Sequence, residues 1–263
     1  MPELPEVETV VRDLRPILVG AFLKDVSPAV ENLKEALDVA VVAVSRRGKF
    51  INISFDNGQV MTIHLRMTGR LIVQDHNDPE LKYERTRIDF DQCSLRFCDL
   101  RRFGKIWIND LKNFEEKTGI FKLGVEPLDG EFSVVKFAQL LSKRRGPIKK
   151  WLLDQTLVAG IGNIYADEAC FYAKIRPDAM VEDLSAEDLE RLHEAVVRAL
   201  EQGIRNRGTS VSDYADAYGK SGKNQELLYV YGRGGKPCME CEQALVKVKL
   251  VGRGTVYCES CQK

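Results

Sequence analysis

The chain has 263 residues, 44% apolar and 30% charged, with 39 basic and 39 acidic side chains. That composition belongs to a globular protein of one large domain or two ordinary ones. A net charge of zero excludes a globally basic protein that coats DNA, but it permits a local basic surface. No apolar run reaches the roughly 18 residues of a membrane span. The acidic N-terminus also lacks the basic and apolar regions of a secretory signal.

In chain order, residues 5–18 are expected to form a helix. Pro5 suits a first helical turn, and Val7, Val10, Leu14 and Leu18 fall at helical spacing. Pro16 should distort the end of this helix and Gly20 should close it. Next come VVAVSRRGKFINISF, QVMTIHL, GRLIV, RTRIDF, SLRFCD and KIWI. These segments favour β-branched and aromatic residues, and turn signals such as DNG separate some of them. Six short strands in this span imply an antiparallel sandwich or barrel. Beyond about residue 110 the texture becomes helical, in FSVVKFAQLLSK, IKKWLLDQTLVAG, GNIYADEACFYAK and SAEDLERLHEAVVRALEQGI. From Gln225 short strands return around cysteines. The expectation is a β-rich N-terminal domain and a helical one ending in a small metal module.

Cys238-x-x-Cys241 and Cys258-x-x-Cys261 stand sixteen residues apart. Two such pairs supply the four thiolates of a tetrahedral zinc ion. With four protein ligands there is no open position, so the expected single Zn2+ is structural. Cys93, Cys98 and Cys170 sit singly in apolar stretches, as small buried hydrophobes do. Between the pairs, residues 247–255 suggest a hairpin with a Gly-Arg-Gly tip, where Arg253 is either a phosphate or groove contact or a solvated turn charge. Ser142–Lys150 carries five positive charges and precedes the glycine-rich turn LVAGIGNIY. A glycine turn that opens a helix offers free N–H groups to an anion, although such turns are also common as plain connectors. The loops SRRGK, HLRMTGR and DLRRFGK each mix basic residues with Met, Phe or a strand start. Three of them on one β-rich domain suggest a groove that grips a phosphate backbone and inserts side chains into a base stack.

The first residues, MPELPEVETV, crowd carboxylates around a proline. An α-amine titrates near 7.7–8.0, against about 10.4 for lysine, so much more of it is neutral near pH 7. A secondary amine condenses with an aldehyde to a cationic iminium, and neighbouring glutamates can shuttle protons. The plainer alternative is that Pro2 only eases processing and the glutamates favour a helix N-terminus.

Taken together, MPELPEVETV, SRRGKF, HLRMTG, DLRRFG, GIGNIYADE, QELLYVYG and the four-cysteine finger with GRGT resemble the Fpg/Nei family of DNA glycosylases nearly end to end. MPELPE favours its purine-type branch. The resemblance implies an α+β fold: an N-terminal antiparallel β-sandwich with flanking helices, then a helical helix-two-turn-helix domain ending in a four-cysteine zinc-finger hairpin. The implied domains are 1–130, 131–224 and 225–263. It further implies a bifunctional base-excision enzyme that removes 8-oxoguanine and formamidopyrimidines and then cleaves the abasic strand by β- and δ-elimination.

In that reading Pro2 is the nucleophile at C1′, Glu3 the general acid/base, Lys49 a strand lysine at the lesion phosphate, and Glu6 a second glutamate near the lesion. His64, Asn163, Lys149 and Arg253 form the phosphate set. Met67, Arg101 and Phe103 fill the gap left by an extruded nucleotide, and Arg101 reads the orphaned cytosine. Residues 209–223, with Lys220, cover the flipped base. The partner is damaged double-stranded DNA, the protein a cytoplasmic monomer without membrane contact, and its active form lacks Met1. The alternatives are a pyrimidine-preferring Nei-like glycosylase, a non-catalytic zinc protein that binds damaged DNA, and an RNA-binding zinc protein. One segment departs from the family: Tyr83-Glu-Arg-Thr-Arg87 stands where Lys-His-Asp-His is usual.

Overall fold

The computed structural model of the chain describes residues 1–28, 37–211 and 213–263. The chain gathers into two compact units. One comprises Met1–Lys122 with Ile204–Gln225, and the other Leu123–Gly203 with Glu226–Lys263.

The first unit begins with helix α1 (Leu4–Leu18). A capping box starts it: the Glu3 side chain accepts the Glu6 backbone N–H, and the Glu6 side chain accepts the Glu3 N–H. Val7, Val10, Val11, Leu14 and Leu18 face the core, each stabilising the fold by about 1.5–3 kcal/mol. Pro16 does not end the helix, which continues to Leu18 and closes where the Val19 N–H bonds the Arg15 carbonyl.

Eight strands follow among the described residues. They are β1 (Leu23–Ser27), β2 (Val41–Arg47), β3 (Phe50–Phe55), β4 (Gln59–His64), β5 (Gly69–Gln74), β6 (Glu84–Phe90), β7 (Ser94–Asp99) and β8 (Lys105–Asp110). They pair antiparallel as two four-stranded sheets, β1-β6-β7-β5 and β2-β3-β4-β8. Apolar residues of both sheets and of α1 share one core, among them Val44, Ile51, Ile53, Met61, Leu71, Ile88 and Leu95. Of the sandwich and the barrel that the strand texture allowed, this is the sandwich, with two more strands than the six counted. VVAVSRRGKFINISF is two strands, because Gly48 turns the chain at a φ of 54° between Arg47 and Phe50, which pair. The LKDVS strand β1 carries little β-branched pattern and is held by its pairing to β6. Helix α2 (Phe114–Thr118) follows the sheets. Segment 204–225 returns to this unit and places Tyr214 and Ala217 in its core.

The second unit contains α3 (Val134–Leu141), α4 (Ile148–Leu152), α5 (Asn163–Ala173) and most of α6 (Ala186–Arg205). It ends in the hairpin of β9 (Val246–Leu250) and β10 (Arg253–Tyr257). Helix α6 buries Leu192, Ala195, Val196, Ala199 and Leu200 at helical spacing. The two turns between α4 and α5 are locked by Gln155, whose amide donates to the Leu153 and Ile161 carbonyls and accepts the Gly160 N–H. No helix among the described residues is long and apolar enough to cross a membrane.

Candidate active site and nucleic-acid interface

Pro2, Glu3 and Glu6 are all buried at the start of α1, while Met1 is exposed. Met1 makes the Pro2 nitrogen an amide, and its removal would free a secondary amine. The Glu6 carboxylate is occupied on both oxygens. It accepts the Glu3 N–H at 2.8 Å and the Thr209 N–H at 2.7 Å. The N-terminus and the 209–223 segment therefore hang on one side chain. A Cβ on Gly208 would lie 2.7 Å from the Tyr214 ring and 2.9 Å from Glu6 Cγ, so this approach requires glycine. The segment has further ties. The Asn224 side chain donates to Thr209 Oγ1, Ser210 Oγ accepts the Gly222 N–H, and Arg207 bonds Asp13 and Asp216. Lys220 is exposed, with its N–H held by Asp216. Ser212 lies outside the described residues.

Lys49 is the second residue of the β2–β3 turn rather than a residue within a strand, and it is buried. On the neighbouring strand, His64 packs edge-on against Phe50 with ring centroids 4.5 Å apart. Its Nδ1 accepts the Arg66 N–H at 3.0 Å, so the ring proton sits on Nε2. Burial first, then the Arg66 and Lys49 charges, push its pKa down to about 3. His64 is thus a neutral donor.

Met67 and Phe103 project from two turns, 42% and 50% exposed. Arg101 lies between them. Its guanidinium meets Met67 Sδ at 3.0 Å and stands 4.9 Å from the Phe103 ring centre. The structure brings these three side chains together before any nucleic acid arrives. The departing segment Tyr83–Arg87 enters β6 behind them. Arg85 donates to the Asp99 carbonyl, Glu84 pairs with the buried Arg96, and Arg87 binds Asp89 and the His76 carbonyl.

In the second unit the candidates Asn163, Lys149 and Arg253 meet at the hairpin. Asn163 is the first residue of α5, whose cap is Gly162, so a capping role is excluded. Its Nδ2 donates to the Gly254 carbonyl at 2.9 Å. Lys149 has no exposed surface. Its ammonium pairs with Asp167 at 2.5 Å and donates to Thr255 Oγ1 and the Gly254 carbonyl. Asp167 also accepts the Val256 N–H, and burial pushes its pKa upward against the pull of Lys149. A lysine so enclosed cannot touch a phosphate from where it stands. It can only hold the strand that carries Arg253. Arg253 is exposed, but the hairpin tip is Val251-Gly252, both at positive φ, and Arg253 begins β10 beside it.

The Sγ atoms of Cys238, Cys241, Cys258 and Cys261 all lie within 4.8 Å of one another. Cys241 and Cys258 are 3.4 Å apart and Cys238 and Cys261 3.9 Å. A tetrahedral ion with Zn–S bonds of about 2.3 Å sets its sulfurs roughly 3.8 Å apart, so the cluster fits one structural zinc. Cys93, Cys98 and Cys170 are buried free thiols. Pattern reading missed Asp99, Thr68, Gln155 and Glu168, whose partners lie in the local turns or far along the chain. Glu168 accepts the N–H groups of Tyr229, Val230 and Tyr231 and thereby anchors the approach to the zinc hairpin.

A two-sheet domain with a capped proline N-terminus, a two-turn helical region and a zinc hairpin define a DNA glycosylase of base-excision repair. The chain belongs to the formamidopyrimidine-DNA glycosylase family, enzymes that also carry abasic-site lyase activity. Residues 1–106 match the formamidopyrimidine-DNA glycosylase N-terminal domain, 123–215 its H2TH domain, and 235–263 the zinc finger found in FPG and IleRS. The formamidopyrimidine-DNA glycosylase of Pelotomaculum thermopropionicum is 41% identical, over 100% of this chain and 99% of that protein. That of Moorella thermoacetica is 44% identical over 95% of each. Among solved structures, MutM (Fpg) of Thermus thermophilus superposes with a TM-score of 0.90 at 36% identity, covering 99% of this chain and 98% of that one. The Lactococcus lactis Fpg in complex with DNA containing an abasic site gives 0.91 at 34%, covering 99% of each.

Proposed function

We propose that this chain removes oxidised purines, 8-oxoguanine and formamidopyrimidines, from damaged double-stranded DNA, and then cleaves the abasic strand. It acts as a cytoplasmic monomer in the form that has lost Met1. The observation that carries this reading is the construction of the N-terminus. Pro2 is seated beside buried Glu3, and Glu6 ties that end to the segment 209–223.

The neutral Pro2 nitrogen attacks C1′. The N–C1′ bond forms, and the C1′–base bond breaks with its electron pair leaving on the base. The resulting ammonium loses its N–H proton to the departing base, which restores the nitrogen lone pair. Glu3 protonates the sugar ring oxygen, the ring opens, and that lone pair completes an iminium. Loss of a C2′ proton expels the 3′ phosphate, and a second elimination expels the 5′ phosphate. Lys49, neutral His64, Asn163 and Arg253 hold the backbone, and Met67, Arg101 and Phe103 fill the vacated stack. Lys149 serves this set from inside, through the strand of Arg253.

Borohydride reduction on a duplex with 8-oxoguanine opposite cytosine should trap a covalent adduct, and mass mapping should place it on the Pro2 nitrogen. Tight binding with no adduct from Met1-free protein would leave only a non-catalytic reader. An adduct formed solely with an oxidised-pyrimidine duplex would move the substrate class.

A further inference from the structure

We infer that Asp99, braced by Thr68 and Arg85, preforms the Met67–Arg101–Phe103 wedge and so sets discrimination of the base opposite the lesion. The inference rests on the wedge role proposed above.

Asp99 is 1% exposed, and its carboxylate gathers both turns that carry the wedge. One oxygen accepts Thr68 Oγ1 at 2.5 Å and the Arg101 N–H at 3.2 Å, and the other accepts the Gly104 N–H at 2.7 Å. Thr68 Oγ1 in turn accepts the Arg101 N–H at 3.1 Å. The Met67 turn and the Phe103 turn therefore lock at a shared point, directly beneath the backbone of Arg101.

Asp99 is itself pinned from its other side. Its N–H donates to the Tyr83 carbonyl at 2.9 Å, and its carbonyl accepts Arg85 Nε at 2.9 Å. Those two residues lie in the segment that departs from the family pattern, so this chain supplies its own buttress there.

Neither turn can relax freely around the lock. A Cβ on Gly69 would sit 2.3 Å from the Leu65 carbonyl oxygen, and one on Gly104 would sit 2.3 Å from the Phe97 ring. Arg66 and Arg102 take left-handed φ values of 55° and 58°. A conformation so over-determined, ending in exposed apolar tips, bears its ordering cost on folding rather than on binding. Arg101 then presents its guanidinium in one register. If its N–H were freed, it would meet more than one opposite base.

Thr68, Asp99 and Arg85 are positioning residues, and Thr68 gives the cleanest test. Thr68→Val deletes the hydroxyl at nearly constant shape, and Thr68→Ser keeps it. Two measurements are made: amide exchange at Arg101 and Gly104 in the free protein, and the ratio of excision opposite cytosine to excision opposite adenine. Strand cleavage at a ready-made abasic site in single-stranded DNA serves as control. Thr68→Val should lose about tenfold of the exchange protection and about fivefold of the ratio, as expected for one broken buried hydrogen-bond network. It should hold the control rate within about twofold, and Thr68→Ser should restore both readouts. Equal slowing opposite both bases, with the ratio unchanged, would reduce Asp99 and Thr68 to ordinary fold residues. Unprotected Arg101 and Gly104 amides in the unaltered protein would equally overturn the brace. If the unaltered protein excises nothing, the proposed activity fails, and amide exchange still decides whether the brace exists.

Discussion

His64 shows how one buried side chain fixes both a protonation state and a stability profile. Its pKa lies near 3 in the fold because burial disfavours the cation and the Arg66 and Lys49 charges add to that. In the unfolded chain it titrates near 6.5. Between those values the unfolded chain binds a proton that the folded chain does not, so this contribution is complete above about pH 6.5 and is lost as the pH falls. At pH 5 the loss is on the order of 2 kcal/mol. Urea unfolding of the parent and of His64→Gln at pH 7 and pH 5 isolates it. The parent should lose more stability than the variant on acidification, by about that amount. Equal losses would mean the imidazole is protonated in the fold and not the neutral donor that its bond from Arg66 implies.

Among the elements, the zinc hairpin has little apolar core of its own. Strand β9 buries no residue fully, and the apolar cluster beneath the hairpin counts two of the zinc ligands, Cys238 and Cys258, among its members. Metal binding therefore supplies much of its folding free energy. A strong chelator should unfold residues 238–261, seen as lost amide protection in β9 and β10, and DNA affinity should fall by about tenfold or more as Arg253 loses its place. The first unit, with its own core, should keep its protection.

The same contrast separates what is legible in the sequence from what is not. Helix α1 and most strands announce themselves because Val7, Val10 and Leu14, or the alternation of RTRIDF, bury one face of a regular period. The four-cysteine spacing is legible because metal geometry leaves few alternatives. Strand β1 is not, since LKDVS is a strand only by virtue of its partner β6. The Gly-Arg-Gly pattern points to a hairpin tip at Arg253, and the tip falls one step earlier, where Val251 joins Gly252 at positive φ. Lys149 reads as one more cation in a basic run. Its burial depends on Asp167 and Thr255, 18 and 106 positions away, which no local pattern encodes. Asp99 reads as a strand end for the same reason.

Across the whole molecule, equal numbers of acids and bases mean that affinity for a polyanion must come from a few placed charges. The proposed backbone contacts divide by charge. Lys49 and Arg253 are cations, while Asn163 and neutral His64 are donors without charge. Only a cation releases counterions when it meets a phosphate, so log affinity against log salt should have a slope of about −2. Arg253→Ala should bring that slope to about −1 and weaken binding most at low salt. Asn163→Ala and His64→Gln should weaken binding by a similar factor at every salt concentration, leaving the slope where it was. Lys149 is the sharpest case. Its charge is already matched by Asp167 and shielded from solvent, so it has no counterion to release. Lys149→Met, studied together with Asp167→Leu so that no charge is left buried alone, should keep the parent slope even if Arg253 shifts enough to lower affinity. A slope that falls by about one unit in that pair, with Arg253 unchanged, would put the Lys149 ammonium on a phosphate after all and would require the hairpin to open when DNA binds.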